Sequence, residues 1–146
     1  MWAGYAIQGS EARIRRTMTA MRKQYYFRSS GAGVLAWDVD RLVQLSASLP
    51  RKRIALDSIR ELDEVWCGED DPPTWRSMLA HIRLMDEADL SYPIIVSASG
   101  AVMDGMHRVA KAVRLGHADI EAVQFEVDPE PDHVGLGPAD LPYDAP

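Results

Sequence analysis

The sequence predicts an α+β fold in which a small mixed sheet is packed by helices. Three observations carry that expectation. Ile94 to Gln124 reads as strand, turn, strand, helix, strand; Thr74 to Met85 repeats apolar residues at the helical period; Arg53 to Leu56 is a short extended segment. With 146 residues, 47% of them hydrophobic, the chain can bury one ordinary core, so one domain with extensions is expected.

The earlier elements are the less regular ones. Ile14, Met18, Met21 and Tyr25 form a thin helical stripe, and Gln24 to Phe27 then favours an extended segment. Its three adjacent aromatics suit the cover of a sheet, with stacking on nucleic-acid bases as the alternative. Ser29 to Gly33 reads as a loop. Asp38 is placed to cap a helix running to about Ser48, with Val39, Leu42, Val43 and Leu45 as its apolar contacts and Pro50 beyond its end. Asp57 to Arg60 begins a turn.

The acidic run Asp63, Glu64, Glu69, Asp70, Asp71 reads as a solvated loop, with a divalent cation as the alternative, and Pro72-Pro73 ends it. Thr74 caps the next helix. Its inner face is expected to be Trp75, Met78, Leu79, Ile82 and Met85, which leaves His81 on the surface.

In the final block, Ile94 to Val96 and Val102 to Met103 are strands around a turn at Ala98 to Gly100. Met106, Val109, Ala110 and Val113 make one stripe of a helix that Gly116 ends in a left-handed conformation, and a strand follows. After Val127, five prolines alternate with acidic residues, so residues 128–146 read as an acidic proline-rich tail that builds no core. The expected organisation is a basic extension over residues 1–30, a domain over 31–127, and this tail.

Charge is asymmetric. The formal net charge is −6, yet residues 1–30 carry +5, so the remainder carries −11. A basic arm over residues 13–28 can contact nucleic acid, or can rest on the acidic body. The single Cys67 excludes an internal disulfide framework and a multi-cysteine zinc site. No apolar run approaches bilayer length and no secretory-type stretch opens the chain, so a cytoplasmic protein without a membrane partner is expected.

The chemistry-bearing stretch is Asp104-Gly105-Met106-His107-Arg108, with Lys111 one turn on. A helix N-terminus presents unpaired amides and a partial positive charge, so it accepts anions and disfavours cations. Arg108 and Lys111 make sense there if a negative group completes the site, with Arg108 gripping phosphate and Gly105 leaving room for its approach. The structural alternative remains open at this level: Asp104 caps the helix, His107 lies on its solvated side, and Arg108 pairs with an acidic residue.

Over residues 52–126, and most specifically Val102 to Gly116, the chain resembles the ParB/sulfiredoxin superfamily. The resemblance rests on the Pro-Ile-Ile-Val strand, the turn, Val-Met-Asp-Gly-Met-His-Arg, and an amphipathic helix closed by Leu-Gly. It implies nucleotide phosphate binding at Gly105, His107 and Arg108, with Met106 and Lys111 beside them. Met106 stands where sulfiredoxins carry their reactive cysteine, and a thioether forms no thiolate, which excludes that activity. The Gly-Glu-Arg-Arg of partition proteins is absent, as is any helix-turn-helix region after the domain.

Asp-Gly-X-His-Arg is closer to a branch of small-molecule kinases similar to free serine kinase. That likeness implies a nucleotide (ADP, ATP or CTP) with Mg2+, Asp104 orienting the site or reaching the metal, and Asp63 or Glu64 as base. Two functions are therefore expected as alternatives: a nucleotide-dependent phosphotransferase or hydrolase acting on a phosphorylated small molecule or nucleotide, or a non-catalytic regulatory or DNA-associated module.

Overall fold

A computed structural model describes residues 23–65 and 73–143. Ten regular elements run through these residues: β1 (Tyr25–Ser30), β2 (Gly33–Asp38), α1 (Val39–Ser46), β3 (Lys52–Ala55), α2 (Trp75–Glu87), β4 (Ile94–Val96), β5 (Val102–Asp104), α3 (Met106–Arg114), β6 (Asp119–Gln124) and β7 (His133–Val134). Short 3-10 turns occupy Leu56–Ser58, Arg60–Asp63 and Pro138–Asp140. The α+β expectation holds, with two sheets rather than one. Among the described residues they belong to two compact units, residues 23–41 with 65, 73–81 and 130–143, and residues 42–64 with 82–129.

The first unit is built on an antiparallel sheet in the order β1-β2-β7. Phe27 lies opposite Ala36 and Tyr26 opposite Trp37, so alternation puts Tyr25, Phe27, Val34 and Ala36 on one face and Tyr26, Arg28, Leu35 and Trp37 on the other. The second face carries a cation–π stack, with the Arg28 guanidinium 4.8 Å from the Trp37 ring and 5.5 Å from Tyr26. Only the turn of this hairpin lies in the expected loop over Ser29 to Gly33. Ser30 Oγ receives the Ala32 N–H and donates to the Gly33 carbonyl.

The tail departs from expectation. His133–Val134 pairs with β2, and the Asp132 and Gly135 amides donate to the Ala36 and Val34 carbonyls, each at 2.8 Å. Asp132 also receives the Asp38 amide and pairs with Arg41. Composition understated what a few apolar residues can do when a preformed sheet receives them: Leu141, from the proline-rich segment, is buried against Tyr25, Phe27 and Ala36.

The second unit has the order β3-β6-β4-β5, with β4 and β6 parallel and the other neighbours antiparallel. Leu56, Ile59, Ile94, Val96, Val102, Met106, Val109, Ala112, Ile120 and Ala122 form its core. The buried line on α3 is therefore Met106, Val109 and Ala112, while Val113 is 45% exposed. Gly116, at φ 78°, ends α3: its N–H bonds the Val113 carbonyl and that of His117 bonds Ala112, the paired bonds of a Schellman motif.

Both other helices begin where the caps indicate. Asp38 Oδ1 receives the Asp40 amide at the start of α1. At α2, Thr74 Oγ1 receives the Ser77 amide while Ser77 Oγ receives that of Thr74, a reciprocal cap with serine in the usual Glu position. The expected inner face of α2 is, however, turned outward. Trp75 is 81% exposed and Leu79 62%, whereas Ser77, Ala80 and His81 are buried. Periodicity reveals an apolar stripe without saying which face a neighbour covers, and small side chains allow the closer approach.

His81 is accordingly not a surface residue. Burial lowers its pKa from 6.5 to about 4, so the folded chain keeps the ring neutral where the unfolded chain protonates it. Stability from this group is complete above pH 6.5 and declines as pH falls toward 4. Between pH 6.5 and 5 the loss should reach about 1.5 kcal/mol in urea titrations, and His81→Leu should flatten that slope. An unchanged slope would remove His81 as its origin.

Candidate functional site

The candidate site is the junction of β5 and α3. Gly105 occupies the N-cap position at φ 116°, a conformation that L side chains rarely adopt. A Cβ there would lie 2.6 Å from Ile94 Cγ2 and 3.1 Å from an Arg108 terminal nitrogen. The glycine thus admits the protein's own side chains. The Val109 amide makes the first helical bond, to the Gly105 carbonyl at 3.0 Å, and the N-cap glycine has no side chain to cap the helix.

Asp104 holds Arg108. Arg108 Nη2 donates to Asp104 Oδ2 at 2.9 Å, and Nη1 donates to the Pro93 carbonyl at 2.7 Å and the Tyr92 carbonyl at 3.1 Å. The two charged side chains are only 16% and 14% exposed. The fork ties the first turn of α3 to the end of its own strand and to the segment entering β4.

Lys111 is committed in the same way. Its Nζ donates to the Ala88 carbonyl at 2.6 Å and the Asp86 carbonyl at 3.0 Å, which caps the end of α2. Arg114 pairs with Asp86 at 2.9 Å. Asp89 lies on the same connection, and its carboxyl is held below the usual range first by hydrogen bonds from Ser91, then by the charges of Lys111 and Arg108. The cations that look misplaced against the α3 dipole thus find their counter-charge on residues 86–104.

Of the carboxylates expected to act as base, Asp63 and Glu64 are exposed at the end of a 3-10 turn. The one that reaches the site strand is Glu61, 8% exposed, whose Oε2 accepts the Val102 amide at 2.5 Å on edge strand β5. Its Oε1 is buried and takes no hydrogen bond from the described residues. Glu61 stands among other acids in sequence. Its only advance signal was the spacing of Leu56 and Ile59, whose burial carries the turn inward.

Among the described residues no three His, Cys, Asp or Glu side chains are grouped to hold a metal, so Asp104 has no such set around it. Cys67 and Arg13, Arg15, Arg16 and Arg22 of the basic arm lie outside the described residues. Lys23 pairs with Asp38 at 2.7 Å, and Arg28 is stacked as above. No helix among the described residues is long and apolar enough to cross a membrane.

Gly105→Ala should cost roughly 3 kcal/mol through backbone strain and the Ile94 clash. Arg108→Ala should cost about the same, and Arg108→Lys should recover little, because an ammonium lacks the fork that meets three acceptors. Chemical denaturation measures both; a loss under 1 kcal/mol for Arg108→Ala would show that the clamp contributes little.

No family model, no curated protein and no solved structure matches the chain.

Proposed function

We propose that residues 52–126 form a ParB/sulfiredoxin-like domain whose output is the binding of a nucleotide, or another phosphate-bearing molecule, at the start of α3. The observation that carries this reading is the helix start itself. Gly105 leads into α3 without a side chain of its own to cap it, and the first turn of the helix carries the dipole that attracts an anion. The run β4, turn, β5 and α3 supplies the strand, turn and helix on which the resemblance rests.

In this reading the backbone amides take the phosphate oxygens. Arg108 contributes its charge from where Asp104 and two carbonyls hold it. Mg2+ would draw most of its ligands from the phosphates and water, as that ion commonly does. Binding without turnover, the regulatory alternative, is favoured over phosphoryl transfer or hydrolysis by one observation: Asp104 is engaged with Arg108 while Asp63 and Glu64 are exposed.

The test is a titration of the 15N-labelled chain with ADP, ATP, CTP and inorganic phosphate, with and without Mg2+. The Met106, His107 and Arg108 amides should shift first, and a hundredfold excess over Kd should stabilise the fold by about 2.7 kcal/mol. His107→Glu places a competing carboxylate where the helix dipole accepts it, so it should weaken binding at least tenfold without unfolding the chain. Ligand-induced shifts confined to other residues, or none at all, would sink the proposal.

A further inference from the structure

Residues 137–143 lie across the Tyr25 face of the three-stranded sheet as a strap. A 3-10 turn at Pro138–Asp140, whose Gly137 and Pro138 carbonyls are satisfied within the strap, leads into extended backbone at Leu141, φ −86°, ψ 148°. The sheet takes the carbonyls that follow. The Tyr25 hydroxyl donates to the Pro142 carbonyl, and the Lys23 amide donates to that of Tyr143 at 3.2 Å.

Side chains complete the fit. Leu141, 5% exposed, fills a slot formed by Tyr25, Phe27 and Ala36, with Val34 and Tyr143 at its margin. The Tyr143 ring meets Tyr25 edge-on at 5.5 Å, and His133 packs on Tyr25 at 5.7 Å in the same manner. An aromatic-lined surface, donors aimed at the carbonyls of an extended segment, and a slot for the apolar residue before proline are the means by which proteins bind proline-containing peptides.

We infer that this face is a receptor for an extended Leu-Pro-Tyr segment, filled in cis by residues 141–143 and open to a peptide of the same chemistry when the strap lifts. The lift has a pivot. Gly135, at φ 81°, and Gly137 flank the 39%-exposed Leu136 immediately after β7, so the strap can leave without unpairing the sheet. Because resident and incoming segments compete for one slot, the strap sets the apparent affinity for any partner.

A fluorescent peptide with the sequence of residues 136–146 is titrated against the full chain and against the full-length double variant Leu141→Ala, Tyr143→Ala. The variant should bind the peptide at least tenfold more tightly than the wild type, with shifts centred on Tyr25, Phe27 and Ala36. A folded variant that binds it no better overturns the inference. Hydrogen exchange on the unaltered chain decides the matter even if the variant fails to fold. The Lys23 amide should exchange at least tenfold faster than the β1–β2 ladder amides, because the strap opens while the sheet stays paired. Equal rates would mean that the strap leaves only when the sheet melts, and would equally overturn it.

Discussion

The second unit depends on one largely buried ion pair and the glycine that makes room for it. Arg108 gathers Asp104, the Pro93 carbonyl and the Tyr92 carbonyl into one fork, and a Cβ at Gly105 would intrude on that fork and on Ile94 together. Three chain segments therefore share one constraint: the end of β5, the first turn of α3 and the entry to β4. Breaking such a pair leaves an uncompensated charge in a mostly buried place, which costs more than the pair itself contributes. The junction is thus fixed by structure before any ligand arrives.

Lys111 and Arg114 extend the same logic along α3. A helix end leaves carbonyls without partners, and those at the end of α2 need donors. Lys111 supplies them to Asp86 and Ala88, and Arg114 neutralises the Asp86 carboxylate. The charged face of α3 thereby anchors the α2–β4 connection, while its apolar line, Met106, Val109 and Ala112, meets the sheet. One nine-residue helix organises both sides of the unit.

What could be read from sequence follows from the range of each interaction. Caps and turns are local, so Asp38, Thr74 and Gly116 marked their helices closely. Pairing across the fold is not local. β2 passed unrecognised because Val34 to Trp37 carries no polar alternation, and the tail looked coreless because its partner Tyr25 lies more than a hundred residues away in sequence. The outward Trp75 stripe and the buried His81 are reversed for the same reason, since amphipathicity fixes a period and not a direction. At the site, the Asp104–Arg108 spacing of four residues was visible, and it is also the spacing of an ordinary helical ion pair. Glu61 had no signature of its own beyond the spacing of Leu56 and Ile59.

The partners of these cations bear on what kind of anion the proposed site at the start of α3 would take. Arg108, Lys111 and Arg114 face Asp104, Asp86 and Asp89, so the surrounding side-chain charge sums to zero. On the proposed reading, a phosphate arriving there would be drawn by oriented amides and a dipole, not by a net positive field. Such attraction acts within the first turn and gives little long-range steering. Contact geometry at Met106, His107 and Arg108 would thus decide which ligand is kept. On that reading a small phosphate group at the helix start would suit the site better than an extended polyanion such as nucleic acid, whose affinity grows with the number of cations it can neutralise.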